Sequence, residues 1–323
     1  MLVEWTPSTP VAEIAALRSQ REAHWFASAE RGEPHWIYAL HLHKAAGTEL
    51  CNLAKRSGEI VPHAELYYCM PPVEAQGPQQ RPRWIKHLPF HLVNGTLRTA
   101  SFFMVEWSGF TRPVLLSGLP LLYITAFRHP VDRIVSNWQM DVRLKWAPRN
   151  MTLTQYALGD MYSLYLTDNY EVRHLAGGGR EGLGGYIAPA TWPTALAAAL
   201  SRLNVFSVIL ILEEWDLTVK LLCRFGWPDY RLSAGQARQA KLSWTGRRLY
   251  LRQSDPVLWA RLCEKNKWAL ALYADAHMRA LERERELCRG EADCVPRPPV
   301  TLSPSRNHRE GLWLRHPTQN LKV

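Results

Sequence analysis

Short unbroken apolar runs that pass straight into helical periodicity are what most restrict the fold of this chain. The stretches "HWIYALHLH" (35–43), "SFFMVEW" (101–107), "LPLLYITAF" (119–127) and "VFSVILIL" (205–212) are too short for buried helices and lack polar alternation, so each reads as a strand covered on both faces. Three of them lead into amphipathic segments. "GTELCNLAKRSG" sets Leu50, Leu53 and Ala54 at helical spacing, and "HPVDRIVSNWQMDV" does the same for Ile134, Val135 and Trp138. "EEWDLTVKLLCRFGW" closes at Gly226. Alternation of this kind predicts an α/β fold: a three-layer sandwich with a central, mostly parallel sheet and helices on both faces.

The 323 residues read as a single domain. "VAEIAALRSQREAHWFASAER" (11–31) predicts an outer helix, so residues 1–34 form an N-terminal helical extension, 35–287 the core, and the proline-rich 288–323 a loose tail. The Pro, Gln and Gly-rich segment 62–90 predicts a long surface loop. One or two helices are expected over 152–176, before a glycine cluster at 177–185, then one over "TWPTALAAALSRL", and a long helix over about 255–287 carrying Leu258, Leu262, Trp268, Leu272 and Tyr273 on one side.

Lys and Arg number 39 against 29 Asp and Glu, a formal charge of +10 that favours an anionic partner. No nucleic-acid-reading module accompanies that charge. The 14 Trp suit core packing, and any exposed ones would offer platforms for sugar rings. Six Cys form neither a redox pair nor a paired zinc pattern; Cys288 and Cys294 could close a local disulfide, or the thiols stay reduced. Asn94 and Asn150 head N-x-T sequons. Neither a membrane anchor nor a signal peptide is visible.

The chemistry is concentrated at two strand–helix junctions. In "HLHKAAGTEL", Lys44, Gly47 and Thr48 sit where backbone N–H groups and the positive end of a helix dipole would converge on a phosphate or sulfate. A plain turn with a solvated lysine fits the same residues. The Walker A order is absent, because Lys44 precedes Gly47 and no earlier glycine is in place. In "YITAFRHPVDRIVSNW", Arg128 ends a strand and Ser136 lies two turns into the next helix; Arg can grip an oxyanion in a fork. Two cations at two strand ends predict a ligand with two separated anionic groups.

Together these junctions resemble the two cofactor motifs of the Golgi-type carbohydrate sulfotransferases, whose donor is 3′-phosphoadenosine 5′-phosphosulfate (PAPS). The family's first motif reads roughly H-[IL]-P-K-[TC]-[GA]-G-T-[ST]-L, and its Lys, Gly and Thr are matched by Lys44, Gly47 and Thr48, with Ala45, Ala46 and Glu49 completing the loop that embraces the 5′-phosphosulfate. The second, R-D-P-x-x-R-x-x-S-x-[YW], grips the 3′-phosphate and is matched by Arg128, Pro130, Arg133, Ser136 and Trp138. "LTDNYEVRHLAG" is similar to the heparan sulfate 6-O-sulfotransferase branch, which implies that Asn169 and Arg173 line the acceptor or cofactor cleft; a helix cap and a surface cation are the alternatives. The likeness spans about residues 36–280. His43 stands where the family has Pro, Glu49 where Ser or Thr is common, and His129 where Asp is usual.

The resemblance implies a P-loop-like fold and transfer of a sulfuryl group from PAPS to a hydroxyl of a carbohydrate or polysaccharide, acidic ones included, without a metal. It implies residence in the Golgi lumen or secretory pathway; the oligomeric state is left open. Lys44 would meet charge on the departing oxygen. The family's base, a Glu or His between the two motifs, is matched by Glu106, whose pKa is expected to rise against Trp107 and Phe110; a plain strand-edge Glu is the alternative. His91 and His87 compete as bases, His174 reads as structural, and Arg247 and Arg248 form a basic loop. Rival readings are a magnesium-dependent, nucleotide kinase-like P-loop phosphotransferase and a glycan-binding protein that has kept the fold and lost catalysis.

Overall fold

The computed structural model describes residues 2–4, 11–62, 69, 100–106, 114–116, 120–159, 164–176, 188–227 and 251–287. Its centre is a four-stranded sheet of β2 (Trp36–His41), β3 (Phe102–Val105), β5 (Leu121–Phe127) and β6 (Val208–Ile211), in the order β3-β2-β5-β6. All three pairings are parallel, with Leu40 level with Val105 and with Thr125, and Ala126 level with Leu210. The α/β class read from the apolar runs is thus the observed one. The short strands β1 (Leu2–Glu4) and β4 (Val114–Leu116), which the sequence pattern did not reveal, form a separate antiparallel pair.

Side chains alternate across the sheet, and each face has its own cover. Tyr38, Phe103 and Tyr123 share one face, where α1 (Val11–Glu30) lays the Arg21 guanidinium 4.8 Å from the Tyr123 ring centre. Arg21 also donates to the Val205 carbonyl at 2.8 Å, and Ile14 and Trp25 of α1 are fully buried. Helix α1, expected as an outer helix, therefore packs Ile14, Trp25 and Ala29 into the core. On the other face, Ala126 and Leu210 meet Leu50 and Leu53 of α2 (Gly47–Arg56) and Trp215 and Leu222 of α8 (Trp215–Arg224), around a small apolar cavity.

Further helices among the described residues are α3 (Pro130–Arg143), α4 (Leu153–Leu158), α5 (Leu164–Thr167), α6 (Tyr170–Leu175), α7 (Trp192–Leu203, after a 3₁₀ turn), α9 (Pro256–Lys265) and α10 (Lys267–Leu287). The long helix expected over 255–287 is two helices. Asn266, fully buried at the break, turns its side chain to the carbonyl of Thr167 and the N–H of Asn169, and the Ala269 N–H at the start of the second helix donates to the Asn169 side chain. Among the described residues of 152–176 there are three short helices, not one or two. A disulfide joins Cys51 of α2 to Cys69, whose carbonyl accepts from Met104 of β3; Cys223 is disulfide-bonded too, and Cys263 is a free thiol. Cys288 and Cys294 lie outside the described residues.

Candidate active site

In chain order the sheet grows from β2 out to β3, then returns to the opposite side of β2 for β5 and β6. The reversal makes the carboxyl ends of β2 and β5 a topological switch point, the place where open α/β sheets form a crevice for ligands. Both cation-bearing junctions leave the sheet there. The Arg128 Nη1 donates to the Lys44 carbonyl at 3.4 Å, and the Lys44 ammonium reaches the Met140 sulfur of α3 at 3.3 Å. Burial, followed by the positive charges of Arg128 and Arg143, presses the Lys44 ammonium below its ordinary value, with Glu106 and Asp141 acting against it. Cations crowded into a half-dry crevice repel one another, and an arriving anion relieves that repulsion.

The loop itself is shaped for such a visitor. Lys44 and Ala46 both hold left-handed backbones, φ +65°, on either side of Ala45, which bends the chain into a concave turn at the start of α2. No side chain among the described residues caps α2, so its first N–H groups and its positive dipole end meet the crevice. Gly47 is required by a close approach rather than by its own φ: a Cβ there would fall inside the His41 imidazole. Thr48 is exposed, and Glu49 turns down the outside of α2 to Arg56 at 3.2 Å, so its carboxylate is paired away from the loop.

On the other junction Ser136 lies partly exposed on the second turn of α3. Arg133 is fully buried: its Nε donates to Glu171 at 2.6 Å, its Nη2 to the Leu166 carbonyl at 2.6 Å, and its guanidinium lies 4.4 Å from the Tyr170 ring centre. His129, in the Asp position of the family pattern, is built into packing. Its N–H donates to Glu213 at 2.8 Å, and its ring stacks on Trp259 with an edge contact to Tyr273.

Glu106 follows the residue level with Leu40 and so lies beside His41 at the end of β2 and His43 in the turn after it. Its Oε1 lies 2.5 Å from the His43 Nδ1 and 3.7 Å from the His41 Nδ1. The expected upward pKa shift does not occur. Burial alone would raise this carboxyl, but the charge of His41, the hydrogen bond from His43 and the charge of His43 outweigh it, and the net shift is downward. Trp107 and Phe110, invoked for the opposite effect, lie outside the described residues. Burial keeps the His41 imidazole below its ordinary value despite the pull of Glu106.

Other candidates fall elsewhere. Asn169 starts α6 and bridges to the α9–α10 break, donating to the Lys265 carbonyl at 2.9 Å and accepting from the Ala269 N–H at 2.9 Å. Arg173 is 2% exposed, so the surface-cation alternative fails; it pairs with Asp168 and lies over the Trp192 ring. The structure commits both side chains to scaffolding around α6. His174, tilted against the Tyr170 ring, adds charge beside Glu106. His87, His91, Arg247, Arg248 and Asn94 lie outside the described residues, and Asn150 is exposed in the turn before α4.

The sequence reading missed Asp141. Burial pushes its carboxyl up, against a 2.6 Å hydrogen bond from the Tyr156 hydroxyl and the charges of His43 and Lys44. It sits two turns beyond Arg133 on α3, in a stretch with no motif, and only the packing of α3 over the loop brings it near Lys44. Among the described residues no group of three or more His, Cys, Asp or Glu is disposed to hold a metal ion. The assembled parts are a sharp turn at the start of α2, two cations beside it and, at its edge, a carboxylate–imidazole pair of the kind that can manage a proton. No protein-family model matches the chain, and no curated protein matches it.

Proposed function

We propose that this protein transfers the sulfuryl group of PAPS to a hydroxyl of a carbohydrate acceptor. The observation that carries the reading is the meeting of Lys44 and Arg128 at the β2/β5 switch point, where one nucleotide with two anionic groups can span both. The loop from Lys44 to Glu49 takes the 5′-phosphosulfate with its N–H groups, and Lys44 meets the charge that grows on the departing oxygen. Arg128 and Ser136 take the 3′-phosphate, and the carboxylate–imidazole pair of Glu106 and His43 receives the acceptor's proton. The net positive charge suits an acidic polysaccharide. The disulfide between Cys51 and Cys69 supports an oxidising compartment, in keeping with a secretory location.

Calorimetry with the bisphosphate product, 3′-phosphoadenosine 5′-phosphate, and transfer from labelled PAPS to a panel of glycans test this. Arg128→Ala is expected to weaken nucleotide binding roughly 10–100-fold, the value of a charge-assisted hydrogen bond. Wild-type protein that neither binds the bisphosphate nor transfers label contradicts the proposal, and strict dependence on Mg²⁺ with a nucleoside triphosphate donor favours a kinase-like enzyme instead.

A further inference from the structure

Glu106 is poorly placed to take the proton itself. It is 4% exposed, and the one oxygen that faces β2 already holds His43 at 2.5 Å with His41 behind it. A carboxylate in that state is stabilised as an anion by its neighbours and gains little from a proton. Its geometry matches instead the second member of a carboxylate–imidazole pair, in which the acid fixes the ring's tautomer and the ring does the proton transfer.

Resting on the sulfuryl-transfer reading above, we propose that His43 is the general base and that Glu106 is the positioning residue that orients it. With Nδ1–H donated to Glu106, the lone pair is placed on Nε2. The ring directly precedes Lys44, so base and leaving-group cation are carried on adjacent residues of one loop. The backbone there is held as well, because the His43 N–H donates to the Tyr170 hydroxyl at 3.1 Å. His41, as buried as His43, differs in geometry: its Nδ1 stands 3.7 Å from Glu106, beyond a hydrogen bond, and its Cε1–Nε2 edge is packed against Gly47 at the start of α2, so neither its tautomer nor its second nitrogen is set up for the step.

In the step, the acceptor oxygen bonds to sulfur as the bond from sulfur to the 5′-phosphate oxygen breaks. The bisphosphate leaves with that electron pair, its new charge facing Lys44, and the acceptor's proton passes to His43 Nε2. The imidazolium is balanced by Glu106 and later loses the proton to solvent. The groups acting on this ring are Glu106 of the loop after β3, His41 of β2, neighbouring Lys44, Asp141 on α3, and Tyr170 and His174 on α6, whose ring lies beside Tyr170 and whose charge acts on Glu106.

The test is the pH dependence of kcat for wild type, His43→Gln and Glu106→Gln, each also assayed for bisphosphate binding. His43→Gln is expected to lower kcat about 10²–10⁴-fold, leave bisphosphate affinity within a few-fold, and erase the acidic limb of the profile. Glu106→Gln is expected to keep that limb and move it to lower pH, because the imidazolium loses its counter-ion. A His43→Gln enzyme with kcat within a few-fold of wild type and an intact limb overturns the assignment, as does a limb that vanishes in Glu106→Gln alone. Should His43→Gln fail to fold, the Glu106→Gln profile decides: a displaced limb supports His43, an absent one refutes it. Wild-type protein inert toward PAPS removes the sulfuryl-transfer reading itself, and this inference with it, whereas active wild type confines any failure to the choice of base.

Discussion

Gly47 shows how a single position ties packing to chemistry. Only a glycine lets α2 begin directly over the His41 ring, and that approach sets the loop bearing Lys44. Gly47→Ala must displace either the helix start or the imidazole. The expected cost is about 1–3 kcal/mol of stability, typical of overpacking, together with loss of bisphosphate binding; thermal unfolding and calorimetry read the two effects. Lys44 and Arg128 were legible as a pair in the sequence because each ends an apolar run just before a helix. The His43–Glu106 pair was not. Sixty-three residues separate the two, and only the register that sets Leu40 beside Val105 makes them neighbours. For the same reason Glu106 was expected to have a raised pKa. Its apolar sequence neighbours pointed that way, whereas the neighbours that decide the shift are imidazoles from another strand.

Among elements, the short helices α5 and α6 are held in place by buried polar bonds rather than by length or propensity. Arg133 of α3 reaches both, through Leu166 and Glu171, and Asn266 at the α9–α10 break reaches Thr167 and Asn169. Helices of four and six residues are unstable alone, so these bonds specify them. Arg133→Ala would leave the Glu171 carboxylate, 1% exposed, without its partner. A loss of about 3–5 kcal/mol is expected in urea unfolding, and Arg133→Ala with Glu171→Leu should recover a large part of it. The Arg in the second motif thus has a structural duty in this chain. That also explains why helix boundaries over 152–176 and 255–287 escaped periodicity: apolar spacing reports a helix's core face, while these breaks are set by buried amides and a guanidinium from distant segments.

In the whole molecule, the strand order β3-β2-β5-β6 turns two sequence motifs into one site. The Cys51–Cys69 disulfide anchors α2, the helix that follows the Lys44 loop, to the chain beside β3. Closing a loop of 18 residues stabilises by about 3 kcal/mol in the chain-entropy view. Cys51→Ala with Cys69→Ala is therefore expected to lower stability by about that amount, measured by chemical denaturation without reductant, while folding persists because the core cluster reaches both faces of the sheet.

What the sequence determined by itself was the kind of element at each place and the charge at each strand end, because apolar runs, helical spacing and loop cations are local properties of the chain. Which strands became neighbours, which helix broke at Asn266, and which imidazole found Glu106 were decided by tertiary packing. Those outcomes depend on contacts between segments tens to hundreds of residues apart, whose energies no local pattern records.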